Sequence, residues 1–417
     1  MSIVEIGAET ETPPNSAGAF DNDWWTLVAC SIGLVFSIAT VTIYSFGIFI
    51  RPLAKDFGWT RGQTSAAIAV GQYALALSAP VWGLLVDRFG PRKIVVPSAV
   101  ALAAALASLS LLTPHLWHLY IAYALLPIVG GGSSAVGYAA VLVRRFDRRL
   151  GFALGVTLMG VGLGATIIPS LAQSLVTSLG WRHAYLVLGG ITLLISLPAS
   201  LVATRNARGP STHRSARNLG SVLPFLRTRA FVLTSSALVL LAIANLGTLS
   251  HLVPMMIDRG FTPAGAARVA GFAGLSAIAS RSVIGLLLDR THAPRLLGCI
   301  AMIAALALLL LVYGNGNFFT YAAVILLGTV IGAEVDFVAY LVRRYFGAAS
   351  FGRLYGIAFS LYVIGSGTGP LLVGLSFDHF HGYKPGLLSF VGVALAAGAI
   401  TFLMPRYESP HGAIKAT

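Results

Sequence analysis

The sequence predicts an all-α membrane protein of twelve transmembrane helices in two parallel six-helix repeats. Three observations predict it. First, 56% of the 417 residues are hydrophobic and only 10% are charged, with a mean hydropathy of +0.82; soluble domains carry roughly 25% charged residues. Second, the apolar residues fall into runs that reach the roughly 20 residues needed to cross a bilayer core. Third, the two halves repeat. Gly58-Trp59-Thr60 aligns with Gly260-Phe261-Thr262 and Asp87-Arg88 with Asp289-Arg290, both 202 positions apart. Gly155 and Pro169 align with Gly356 and Pro370, 201 apart, and Val143-Arg144-Arg145-Phe146 with Val342-Arg343-Arg344-Tyr345, 199 apart. Chance matches would scatter in offset. Two parallel six-helix repeats suit a two-lobed secondary transporter with its substrate between the lobes at midplane.

In chain order, residues 1–23 are polar and acidic, lack Lys and Arg, and contain Pro13-Pro14; they are expected to be a disordered tail and not a cleavable signal. Trp24-Trp25 then marks an interface, where indole rings prefer to sit. The first lobe, 24–203, is expected to hold helices at 25–50, 65–87, 94–112, 117–142, 150–174 and 183–203. Residues 204–230, rich in Arg, Ser, Pro and Gly, read as the linker between lobes. The second lobe, 231–404, is expected to hold helices at 231–257, 265–288, 295–313, 318–342, 351–374 and 385–404, followed by a tail at 405–417. The fifth and eleventh helices are rich in glycine (Gly151, Gly155, Gly160, Gly162 and Gly164; Gly352, Gly356, Gly365, Gly367 and Gly369). Small residues let helix backbones approach, either for static packing or for lobes that rock.

The net charge of +14 is a topology signal. With the N-terminus in the cytoplasm, 20 of the 28 Lys and Arg fall on the cytoplasmic side, seven fall outside and Arg281 lies within a helix. The positive-inside rule therefore places both termini in the cytoplasm, and no nucleic-acid partner is implied. Cys30 and Cys299 both sit in apolar runs, so neither a disulfide framework nor a metal site is expected. No phosphate-binding Gly-x-x-x-x-Gly-Lys loop, serine elbow or His-Glu-x-x-His occurs, so the chain is not expected to be an enzyme or to hold a cofactor.

Three full charges sit deep in helices: Arg281, Glu334 and Asp336. Such a charge costs about 2.5–3.5 kcal/mol on insertion scales, so each needs a partner or a purpose. Counting from the helix ends puts all three at one depth, and Arg281 can pair with one of the acids. Two residues apart, the acids point about 200° away from each other, so one faces the cavity and the other the helix bundle or the Arg343/Arg344 end. Glu334 is favoured slightly as the proton acceptor. A planar guanidinium suits a substrate carboxylate; the bland alternative for Arg281 is a structural ion pair.

The loop Gly83-Leu84-Leu85-Val86-Asp87-Arg88-Phe89-Gly90-Pro91-Arg92-Lys93, with its shortened copy Gly285-Leu286-Leu287-Leu288-Asp289-Arg290, resembles the hallmark loop of the major facilitator superfamily. The resemblance covers about 25–404. Tyr44-Ser45-Phe46-Gly47-Ile48-Phe49, Pro52-Leu53, Phe57-Gly58-Trp59-Thr60-Arg61, the entry residues Asp21 and Trp24-Trp25, and Phe146, Arg148-Arg149, Ala153, Gly155 and Gly160 resemble its bacterial monocarboxylate and oxalate/formate branch. Arg281 matches that branch's carboxylate-binding arginine. Animal relatives carry an Asp four residues before it, where this chain has Ala277, and a Lys where it has Tyr44.

The resemblance implies a bacterial inner-membrane carrier, expected to be monomeric in lipid, moving a small organic anion, with a monocarboxylate expected, together with a proton. Efflux or metabolite exchange by the same fold is the alternative, and a transport-inactive sensor is more remote. It also implies that the first, fourth, seventh and tenth helices line the cavity, adding Tyr44, Tyr123 and Asn245 as substrate contacts. Gly83, Asp87, Arg88, Asp289 and Arg290 become a gating loop. His251 reads as a satisfied interfacial histidine and Asn245 equally as interhelical glue.

Overall fold

The computed structural model describes residues 16–146, 150–205, 223–346 and 351–406. The outer parts of both expected tails, most of the linker and the side chains of Asp87 and Asp289 lie outside the described residues.

α1 runs from Ser16 to Phe57, so it begins within the stretch expected as a disordered tail. It is interrupted by a π-helical turn at Ala39–Tyr44. α2 spans Arg61–Phe89, opened by a capping box in which Thr60 takes the Gln63 N–H and Gln63 takes the Thr60 N–H. Gly90, at φ 86°, turns the chain directly into α3, Pro91–Leu111. α4 was expected to be continuous and is not: Leu116–Gly130 gives way to a tight turn at Gly131–Ser133 and restarts at Ala135–Val143. The run Gly130-Gly131-Gly132-Ser133-Ser134 explains the break, since three glycines weaken the helix and Ser134 caps its restart by accepting the Val136 N–H.

One unbroken stretch, Leu150–Ala203, covers the next two expected helices. Its 49-residue apolar span is more than twice what a bilayer needs. Gly180, at φ 79° and ψ 162°, folds it into α5 (150–179) and α6 (181–203). Eleven described spans are therefore long and apolar enough for a membrane, and this division makes twelve crossings. In the second half, α7 comprises Arg229–Ser250 and Leu252–Asp258, interrupted at His251. α8 is Pro263–Arg290, α9 Ala293–Tyr313, α10 Asn317–Phe346, α11 Phe351–Phe380 and α12 Lys384–Phe402.

The halves meet along two seams, α2 against α11 and α5 against α8. The repeat maps α2 onto α8 and α5 onto α11, so the seams are copies of each other. The glycines of α5 and α11 divide by helix face. Gly160 and Gly164 meet the Ser31 and Val35 carbonyls of α1, and Gly365 and Gly369 meet the Val239 and Ile243 carbonyls of α7, all within one lobe. Gly162 meets Ile278 and Gly367 meets Ala69 and Gln72, across the seam. Packing within a lobe and packing across the seam thus use opposite sides of each helix.

Contact along the seams is uneven. At the end that carries Arg61, a Cβ on Gly374 would come within 2.9 Å of the Arg61 carbonyl; near mid-helix on the other seam, one on Gly274 would come within 2.6 Å of the Thr166 nitrogen. At the end that carries Arg88, Gly83, Gly155, Gly285 and Gly356 all border open space. Among the described residues, the lobes are closed at the first end and parted at the second.

Candidate functional site

Arg281 projects from α8 into the α5–α8 seam. Its Nε lies 3.4 Å from Asp336 Oδ2 on α10, an ion pair without hydrogen-bond alignment. Its Nη1 donates to the Leu158 carbonyl of α5, in the other lobe, at 3.4 Å. Among the described residues, no contact takes its Nη2. The side chains are partly open, 18% for Arg281 and 24% for Asp336. Tyr44, at the end of the π-helical turn of α1, borders the same small cavity, with Ala277, Ile331 and Gly332 opposite. At about 30 Å³ the cavity suits a water and no substrate. The helical interruption beside it is the kind of irregularity that transporters reserve for binding sites.

Glu334, two positions before Asp336, faces elsewhere. It is fully buried. Its Oε1 accepts from Asn245 Nδ2 of α7, and its Oε2 accepts from the Tyr362 hydroxyl of α11 at 2.9 Å. This joins three helices of one lobe. Both partners are neutral, and the Asn245 Oδ1 has no hydrogen-bond partner. Tyr355, Phe359 and Tyr362 stack along the same face of α11.

The expected cluster is therefore only half assembled. Arg281, Asp336 and Tyr44 come together. Asn245, read as a substrate contact or equally as interhelical glue, is placed here in the second way, donating to Glu334, since buried polar groups are paired. Tyr123 is also buried, 3.2 Å from the Tyr185 hydroxyl and edge-on to Phe46, inside the first lobe. Of the gating-loop residues, Gly83 borders open space, and Arg88 and Arg290 are exposed at the parted end.

The closed end gathers charged and aromatic residues that lie far apart along the chain. The Arg61 guanidinium makes a fork with Asp258, at 2.7 and 3.2 Å. It also donates to the Tyr383 hydroxyl and lies 3.8 Å over the Phe377 ring. Asp378, at the end of α11, accepts the Arg61 and Gly62 N–H groups at 3.1 and 2.8 Å, so a carboxylate from one lobe caps a helix of the other. His251 is fully buried here and, as expected, satisfied. Its Nε2 lies 2.9 Å from the Ser65 hydroxyl and 3.1 Å from the Pro370 carbonyl, and its Nδ1 lies 3.3 Å from the Tyr383 hydroxyl. The break in α7 at this residue marks the place, and Pro254, which cannot donate to the Ser250 carbonyl, is the sequence signal for it.

The sequence pattern of the Major Facilitator Superfamily matches residues 30–370. The chain belongs to this superfamily. It is an integral membrane transporter related to monocarboxylate transporters. This superfamily member is 27% identical to "Monocarboxylate transporter 11" of Homo sapiens, over 95% of the chain and 86% of the relative. It is 29% identical to "Probable nitrate/nitrite transporter NarK2" of Mycobacterium tuberculosis, over 91% and 97%. Among solved structures it is similar to a bacterial homolog of the human lysosomal transporter Spinster, in an inward-facing and unoccupied conformation. That likeness has a TM-score of 0.72 at 15% identity and covers 94% of this chain and 97% of that one. It concerns the fold alone. The fold and the relatives of this superfamily chain are those of transporters and not of enzymes.

Proposed function

We propose that the protein moves a small monocarboxylate together with a proton across the bacterial cytoplasmic membrane, with both termini in the cytoplasm. The excess of Lys and Arg at the Arg88 end supports that orientation, making the parted end the inner one. The observation that carries the reading is Arg281 at the seam, held between Asp336 of its own lobe and the Leu158 carbonyl of the other.

The coupling follows from charge. Empty, the Arg281–Asp336 pair is neutral. A carboxylate on Arg281 displaces Asp336, and an ionised Asp336 then leaves one uncompensated negative charge. A proton on Asp336 restores neutrality. A proton without substrate leaves Arg281 as an unpaired cation. An unpaired buried ion costs several kcal/mol, so the carrier reorients when both ligands are present or both absent. That is symport. It moves the proton role from Glu334 to Asp336, which has the cation beside it. The resemblance implied an acid on α8, where Ala277 stands; here the acid reaches the same arginine from α10. Tyr44 serves as a wall of the site. The monocarboxylate class rests on the relatives' names and the single guanidinium; nitrate belongs in the same assay because of the second relative.

Uptake of labelled pyruvate and lactate by proteoliposomes, with and without an inward proton gradient and with nitrate as competitor, tests the reading. Arg281→Lys keeps the charge and loses the fork. One charge-assisted hydrogen bond is worth about 1.5–3 kcal/mol, so half-saturation should rise roughly ten- to hundredfold. Normal uptake by Arg281→Lys would refute the anion reading.

A further inference from the structure

A second anion site is written into the closed end. Between α7, α9, α11, α12 and the start of α2 lies a cavity of about 350 Å³, far larger than the one at Arg281. Three cations, Arg61, Arg259 and Lys384, line it against one acid, Asp258. Buried Met255, Leu311 and Leu387 supply an apolar wall. Arg259 is fixed by donating to the Leu311 carbonyl, and Lys384 lies 5.2 Å over the Tyr313 ring. Arg61 is the one lining residue from the first lobe, and its fork is occupied by a tethered carboxylate, that of Asp258.

We propose that this cavity is an outer docking site for a small carboxylate, which competes with Asp258 for the Arg61 fork. The proposal rests on the orientation and the substrate class given above. Its chemistry is already displayed: Asp258 shows that a carboxylate fits the fork, and the surplus of two cations (three against one) favours an added anion over an added cation. The exchange strands no charge. Asp258 has Arg51 within 3.9 Å as an alternative partner. The incoming carboxylate gains Arg259 and Lys384 as neighbours, and its apolar part meets Met255 and Leu387. The Arg61–Asp258 pair is only partly exposed, 15% and 30%, so an anion already in the cavity meets it more readily than one in bulk water. Occupation replaces a tethered bridge between the lobes with a diffusible one. External substrate would thereby loosen the end it must pass.

The test is equilibrium binding of labelled pyruvate to the full chain in nanodiscs, with pyruvamide as the neutral competitor. In Arg281→Lys, whose deep site is impaired, a pyruvate site should persist that pyruvamide does not displace. In that background Asp258→Asn removes the competing acid and should tighten binding about tenfold, while Lys384→Gln should weaken it about tenfold and Lys384→Arg restore it. Loss of all binding in Arg281→Lys, or indifference to Asp258→Asn and Lys384→Gln, overturns the proposal. Uptake judges the deep site separately: normal uptake by Arg281→Lys with a persistent outer site refutes the symport reading and leaves this one standing.

Discussion

Asp336 and Glu334 are two acids two residues apart on one helix, and they occupy opposite worlds. Asp336 faces a cation, the lobe seam and some solvent. Glu334 faces an amide, a phenol and no solvent at all. The difference lies in what a proton does. On Asp336 it changes the net charge beside Arg281 and so, in the proposed cycle, the carrier's freedom to move. On Glu334 it changes a bond pattern among neutral partners that can serve either form. Tyr362 can donate to a carboxylate or accept from an acid, and the Asn245 amide can turn to offer its free carbonyl. On the proposed reading, an acid becomes a coupling group through its partner, not through its depth in the membrane.

The sharpest way to break this contrast is Asp336→Asn. Arg281 then keeps its charge permanently. The substrate-loaded form is neutral and the empty form is not, so exchange should continue while proton-driven accumulation falls to background. With the rival acid gone, half-saturation should also drop, by about tenfold if one charge-assisted contact is at stake. Paired exchange and gradient-uptake assays on the same proteoliposomes would show both effects. Accumulation at the wild-type level would remove Asp336 from the mechanism.

A smaller effect is expected from Glu334→Gln. Glutamine still accepts from Asn245 and can rearrange toward Tyr362, so accumulation should remain and half-saturation should stay within a few-fold. Glu334→Ala, in contrast, strands buried donors at about 1–3 kcal/mol each, and a thermal melt of the purified protein should separate the two variants clearly. If Glu334→Gln alone abolishes accumulation, the roles of the two acids must be exchanged. The smallest change should follow Tyr362→Phe, which deletes one neutral donor; a loss of about 1 kcal/mol in stability with near-normal coupling is expected, read by the same melt and the same uptake assay.

The sequence carried the twelve crossings, because twenty-residue apolar runs and a repeat near 202 positions leave few other architectures. It also carried the shared depth of Arg281, Glu334 and Asp336, which is arithmetic along a helix. It could not say which acid meets the arginine. That depends on how α10 is rotated against α8, and rotation is set by packing, here with Gly332 against the Ala277 backbone. The closed end was invisible for another reason. Arg61, Asp258, Asp378 and Tyr383 are spread over most of the chain, and each alone reads as an ordinary loop or helix-end residue. The break in α1 had no glycine or proline signal, whereas Pro254, which cannot donate to the Ser250 carbonyl, marked the one in α7 and three glycines and two serines spelled out the one in α4.

The four glycines that border open space at the parted end form two repeat-related pairs, Gly83 with Gly285 and Gly155 with Gly356. The same two seams already show backbone lying on backbone, Gly374 on Arg61 at the closed end and Gly274 on Thr166 near mid-helix. One end is thus a cast of what the other must become. Rocking the lobes does not require a new kind of surface, only that a mould already present in one half of the membrane be struck again in the other. Any side chain added at Gly83, Gly155, Gly285 or Gly356 would be harmless in the shape described here and would be felt only on the return stroke.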